Sequence, residues 1–282
     1  MIKITADSTC DLAPNILKEL NVTLIPLYIT ADDRSFRDGI DITPANLFQM
    51  VDEQGIICKT AAVNIQDYEQ LFKELSSQYE SVIHICIGMN FSICYQNASM
   101  AAQSFSNVYV IDSKNLSSGS GYLVMEAALM AKGGAKAPDI CKALNEMTAL
   151  VDTSFVIERL DYLHKGGRCS GLEAIGARLL GIKPCIEVSN GKMQIGKKYR
   201  GRFDLCLKQY IEDKLSDRRY IDDRRAFITH SMCTEQTVAQ VREAISSLGY
   251  FQDIIETCAG CTISGHCGPN TLGVIFLRNE KP

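Results

Sequence analysis

Short, nearly continuous apolar runs alternate along this chain with stretches whose apolar residues recur at helical spacing. Val82-Ile83-His84-Ile85-Cys86-Ile87 and Val108-Tyr109-Val110-Ile111 are shorter than ordinary helices and lack the alternation of one-sided strands. They predict strands covered on both faces of a parallel sheet. Met1-Ile2-Lys3-Ile4-Thr5-Ala6-Asp7 predicts a first strand entering an acidic turn, not the long apolar run of a signal peptide. Between such runs, Thr43-Pro44 predicts an N-cap with proline at the first helical position, ahead of Leu47, Phe48 and Val51. Asn64 caps a segment with Tyr68, Leu71, Phe72 and Leu75 on one face, and Gly133-Gly134 closes a helix running from about Tyr122. A further short strand is predicted from Gly55 to Cys58. The pattern is that of a doubly wound α/β sheet.

From about Thr153 the rhythm changes. A short strand and a compact helical turn ending at Gly166-Gly167 precede Ile182-Lys183-Pro184-Cys185-Ile186-Glu187-Val188, and Asn190-Gly191 predicts a tight hairpin into the next strand. A helix with Leu205, Leu207, Tyr210 and Ile211, a strand at Ala226-Phe227-Ile228, a helix from about Glu235 to Leu248 and a closing strand from Leu272 to Leu277 follow. We therefore expect two α/β domains, residues 1–150 and 151–282, the first with a doubly wound parallel sheet and the second with a mixed sheet and helices.

Composition narrows the classes. A chain of 282 residues with 46% hydrophobic and 22% charged content can bury a large core, and disorder is not expected. The formal net charge is -4, and basic residues cluster only at Lys197-Lys198-Tyr199-Arg200-Gly201-Arg202, too small a footprint for nucleic acid. No apolar run approaches the roughly 20 residues of a membrane span, so a soluble, cytoplasmic protein is expected. The 12 cysteines are scattered without a secretion signal and read as reduced core thiols. Cys258-Ala259-Gly260-Cys261, with His266 and Cys267 nearby, has no second CxxC or HxxxH partner, so no metal is expected.

No catalytic engine stands out. Gly119-Ser120-Gly121-Tyr122 lacks the third glycine of a dinucleotide fingerprint, and there is no GK[ST] phosphate loop or GxSxG elbow. Ser92 and His266 form a nucleophile and base only in an alternative reading, acyl hydrolysis or transfer, without an evident orienting acid. The hydroxyls of Thr60 and Ser92 and the imidazole of His266 suit another task, because a carboxylate drawn out of water needs several hydrogen bonds. Thr60 and Ser92 follow predicted strands, at the carboxyl edge of the sheet where α/β ligands collect; His266 must arrive from the second half. Each has a plainer reading: Thr60 and Ser92 as helix N-caps, His266 as a turn residue in a Gly- and Pro-rich loop, Arg200 and Arg202 as solvated charges, Asp7 to Asp11 as a strand-to-helix turn with Asp11 near a cap.

An ordered set of segments carries a resemblance: Asp7-Ser8-Thr9-Cys10-Asp11-Leu12, Phe36-Arg37-Asp38-Gly39-Ile40-Asp41-Ile42, Lys59-Thr60, Ser92 with Tyr95-Gln96-Asn97-Ala98, and Val110-Ile111-Asp112-Ser113. It continues through Leu163-His164-Lys165-Gly166-Gly167-Arg168-Cys169-Ser170, Gly181-Ile182-Lys183-Pro184 and His266-Cys267-Gly268-Pro269-Asn270-Thr271-Leu272-Gly273. Along essentially its whole length the chain resembles the DegV family, bacterial fatty-acid-binding proteins that serve as binding subunits of fatty acid kinase. The resemblance implies a non-catalytic protein without a cofactor that encloses one long-chain fatty acid, its tail in an apolar tunnel and its carboxylate near the domain junction. A separate ATP-using kinase would phosphorylate that carboxylate and pass the acyl phosphate to phospholipid synthesis. Thr60 and Ser92 match the threonine and serine that hold the carboxylate, and His266 matches the histidine of the family's THxGPG segment. Arg202, or alternatively Arg200, falls where the family has an arginine tied to the phosphorylated state or to kinase contact. The sequence departs from the family pattern at Ala61-Ala62-Val63 in place of Ser-Gln-Pro, at Ile93 in place of a common glycine, and at Gly265 in place of threonine.

Overall fold

The computed structural model describes residues 1–166 and 181–280. The first half runs β1 (Ile2–Asp7), α1 (Pro14–Glu19), β2 (Val22–Ile25), β3 (Tyr28–Ala31), β4 (Arg34–Arg37), α2 (Pro44–Phe48), β5 (Cys58–Ala61), α3 (Ile65–Ser76), β6 (Ser81–Cys86), α4 (Cys94–Ala102), β7 (Val108–Asp112), α5 (Ser118–Lys132) and α6 (Ala137–Met147). The second runs β8 (Val151–Ile157), α7 (Asp161–Gly166), β9 (Ile182–Ser189), β10 (Lys192–Arg200), α8 (Phe203–Lys214), β11 (Ile221–Ser231), α9 (Glu235–Leu248), β12 (Asp253–Cys258), α10 (Cys261–Cys267) and β13 (Thr271–Arg278).

The apolar runs form a parallel four-stranded sheet in the order β2-β1-β6-β7. Its strands are buried on both faces because α1, α5 and α6 share one core with it and α3 and α4 another. The chain moves outward from β1 in opposite directions, to β2 and to β6, so the carboxyl ends of β1 and β6 flank the switch point where such folds place ligands. Residues from 151 onward build a six-stranded mixed sheet, β10-β9-β8-β13-β11-β12. The hairpin between β9 and β10 turns at Asn190 and Gly191, both at positive φ (50° and 72°), as a two-residue turn of this type requires.

The first half is not wholly parallel. The segment expected as a strand from Gly55 to Cys58 begins as irregular backbone, with Gly55 at φ 69°. The strand is β5, three residues later, and it joins β3 and β4 in a separate antiparallel sheet of order β4-β3-β5. Four residues with mixed polarity and one strand neighbour carry too little periodic signal to fix such a register.

Helix α5 starts earlier than its apolar residues announce. Ser118 through Val124 are buried, because the helix lies between the parallel sheet and β8 and β13 of the larger sheet and has no solvated face at that end. Gly121 is there for close approach: a methyl group at that position would lie 2.4 Å from the carbonyl oxygen of Cys10. Gly121→Ala is therefore expected to destabilise the fold by about 2 kcal/mol, typical of overpacking against atoms that cannot yield, read as a fall in the denaturant midpoint at unchanged slope.

Candidate ligand-binding site

Thr60 sits within β5, opposite Ile29 on β3, and not after a strand of the parallel sheet. Its side chain caps no helix: Oγ1 lies 3.0 Å from Nε2 of His266, 206 residues away. His266 stands in the last turn of α10; the loop that the glycines and proline forecast begins only at Gly268, φ 78°.

The position of α10 is set from the other half of the chain. Its first amides meet two buried carboxylates. Oδ1 of Asp38 accepts from the Cys261 N–H at 2.8 Å and Oδ2 from the Thr262 N–H at 3.0 Å, while Oδ1 of Asp11 accepts from the Gly260 N–H at 2.9 Å. Acceptors placed at a helix N-terminus satisfy donors that have no partner inside the helix. Asp38 follows β4 and donates its own N–H to the Leu27 carbonyl. Asp11 adopts a left-handed backbone (φ 50°) after the turn that ends β1 and accepts from the Ser117 hydroxyl at 2.5 Å. Both acids lie in the motif segments quoted above, where the sequence gives Asp11 only a place near a turn cap and Asp38 no separate role.

Burial pushes the Asp11 carboxyl up to about 8, opposed by the hydrogen bonds from Ser117 and Gly260 and reinforced by the nearby charge of Asp38. An acid whose folded pKa is raised favours folding below its unfolded value near 3.8, and that contribution is lost as the pH rises toward 8. The melting temperature of Asp11→Asn relative to wild type should therefore increase between about pH 4 and pH 8. A constant difference across that window would contradict this account of Asp11.

Ser92 lies in the loop after β6. The Ile87 N–H at the loop's start donates to Asp7 Oδ2 at 2.9 Å, and Asn90 Nδ2 donates to the Gly191 carbonyl of the β9–β10 hairpin at 3.1 Å, tying the loop to the second half. Ser92 does part of what its plainer reading required: Oγ accepts from the Cys94 N–H at 3.3 Å in the first turn of α4 and donates to Cys94 Sγ at 3.1 Å.

Thr60, Ser92 and His266 all line one cavity of about 380 Å³, which is otherwise mostly apolar. Leu27, Ile87 and Leu116 contribute from the first half, and Phe155, Met193 and Ile263 from the second. Met89 and Ile93 line it while remaining 45% and 56% exposed, so the cavity opens to solvent beside Ser92. Ala61 and Ala62 also belong to the wall, so these two departures from the family pattern make the site more apolar. Gly265 could carry a side chain, since a Cβ there would sit 3.5 Å from Leu47.

Arg200 and Arg202 do not line the cavity. Arg200 ends β10 and is exposed. Arg202, at the start of α8 with its side chain 79% exposed, pairs with Asp204 at 2.7 Å. The motif segment beginning at Leu163 passes out of the described residues at Gly167. Every described cysteine is a free thiol. Those of the CxxC region have separate partners: Cys258 lies 3.5 Å from His230 Nε2, and buried Cys261 donates to the Ile42 carbonyl. Burial pushes the Cys267 thiol, which also lines the cavity, up to about 12. A larger cavity of about 490 Å³ between the two halves is polar; within it Lys214 pairs with both Asp152 and Glu187, and Arg278 pairs with Asp152. No helix among the described residues is long and apolar enough to cross a membrane.

The site is thus a cavity walled from both halves of the chain, with a polar cluster at one place and mostly apolar walls elsewhere. The family model described as "Uncharacterised protein, DegV family" matches residues 1–279, and the chain belongs to the DegV family. A DegV domain-containing protein of Deinococcus radiodurans is 30% identical over 97% of both chains. The structure of a DegV family protein from Thermus thermophilus, described for its fatty acid binding, superposes with a TM-score of 0.91 at 26% identity, covering 98% of this chain and 99% of that one. A stearic acid-binding protein from Eubacterium ventriosum gives 0.85 at 27% identity, covering 99% and 98%.

Proposed function

We propose that this protein binds one long-chain fatty acid, tail in the apolar cavity and carboxylate against Thr60, Ser92 and His266, and presents the carboxylate to a separate ATP-using kinase for acyl-phosphate formation. The observation that carries the reading is the 3.0 Å contact between Thr60 and His266, made across the two halves at the wall of a cavity whose remaining surface is mainly apolar. Each methylene withdrawn from water contributes about 0.8 kcal/mol, so the tail supplies the affinity and the polar cluster supplies orientation. Solvent access beside Ser92 leaves the carboxylate end within reach of a second protein. The exposed Arg200 and Arg202 are assigned to that partner or to the phosphorylated product.

This chain is the presenting subunit and not the catalyst. As an acyl hydrolase it would need Ser92 activated by His266, yet Nε2 of His266 faces Thr60, and the Ser92 hydroxyl is engaged with Cys94. Incubation with a fatty acid, ATP and the fatty acid kinase of the same organism should yield acyl phosphate only when all components are present, and Arg202→Ala should lower that yield without lowering fatty-acid affinity. Binding without phosphorylation would reduce the protein to a stand-alone carrier. Turnover of an acyl ester by the protein alone would favour the hydrolase.

A further inference from the structure

Beyond the main cavity lies a second void of about 40 Å³ on the face of the larger sheet that α10 and the start of α5 cover. Leu116, Phe155, Ile263 and Cys267 line both spaces and so form the wall between them. Gly273 is part of its lining. Gly273, in the middle of β13, is paired with Phe155 on β8 and with Thr229 on β11, so the sheet has no side chain there. A Cβ at Gly273 would lie 2.6 Å from the Ser154 carbonyl and 2.9 Å from the Phe155 Cβ. Glycine within a strand marks such close approaches. The partly exposed Phe155 ring therefore stands beside a missing side chain, at the boundary of a pocket that the main cavity meets.

We infer that Phe155 sets the acyl length this protein accepts, by closing the passage from the main cavity to the void beside Gly273. The inference rests on the fatty-acid reading. By the measure in which one water needs about 10–15 Å³, the void has room for about three water-sized groups, enough to extend the tail space by a few carbons once the ring no longer separates the two. Truncating Phe155 joins the spaces and lengthens the preferred acid; filling the void removes that reserve. Ala259, which is buried and lines the void but not the main cavity, is the place to fill it.

The test is competition of an equimolar series of saturated fatty acids of graded length for delipidated protein, with bound acids extracted and identified by mass spectrometry. Wild type should show a sharp upper limit. Phe155→Ala, and more weakly Phe155→Leu, should move that limit upward by roughly two to three carbons, and adding Ala259→Val to Phe155→Ala should move it back. Circular dichroism melting identifies folded variants, and Phe155→Leu with Ala259→Val serves if Phe155→Ala does not fold. An unchanged length profile in folded Phe155 variants overturns this inference and leaves fatty-acid binding standing. Absence of any bound acid in wild type overturns the fatty-acid reading and this inference with it.

Discussion

Asp38→Ala is expected to lower stability by about 3 kcal/mol and to abolish tight retention of the ligand, although Asp38 does not line the cavity. The variant strips acceptors from the Cys261 and Thr262 amides, which are buried, and a buried donor left without a partner costs about 1–3 kcal/mol. It also removes the charge opposite the α10 dipole, worth about 0.3–1 kcal/mol. Because α10 carries His266, loosening its first turn displaces a member of the polar cluster from a distance. Asp38→Asn keeps one acceptor and should show roughly half the loss. Chemical denaturation gives the stability change, and the dissociation rate of a bound fatty acid gives the functional one. A normal midpoint with normal retention in Asp38→Ala would mean that α10 is held by its packing on Leu47, Ile42 and Phe48 and not by this carboxylate.

The second large effect is expected from Thr60→Ala combined with Ser92→Ala. Each hydroxyl given to a carboxylate contributes about 1.5–3 kcal/mol as a charged hydrogen bond, so affinity for a fatty acid should fall by roughly 100-fold or more, while affinity for an alcohol of the same chain length should change far less. The comparison separates the head from the tail: a loss shared equally by acid and alcohol would mean that the variant damaged the apolar cavity. Fluorescent fatty-acid displacement measures both. Affinity for the acid within a factor of about two of wild type would remove Thr60 and Ser92 from the carboxylate site.

Much of this architecture was legible because burial on two sides leaves a continuous signal. β6 and β7 show it as unbroken apolar runs, and the Asn190-Gly191 turn shows it through the backbone angles that only a few residues adopt easily. β5 was misplaced because its four residues pair with only β3, and the helical state of Gly119 to Gly121 was hidden because a helix enclosed on all sides has no amphipathic period. At the site, Thr60, Ser92 and His266 were individually ordinary, and what brought them to one cavity wall is tertiary. Neither the role of Asp11 and Asp38 as the anchors of α10 nor the void beside Gly273 has a local pattern, since the contacts from the two acids to α10 span more than 200 residues.

Native mass spectrometry of the purified protein, before and after delipidation and again after addition of a long-chain fatty acid, tests the central claim most directly. The account predicts a mass increment of one fatty acid per chain in the first and third spectra and the bare chain in the second. The bare chain in all three, with the protein folded, would contradict it.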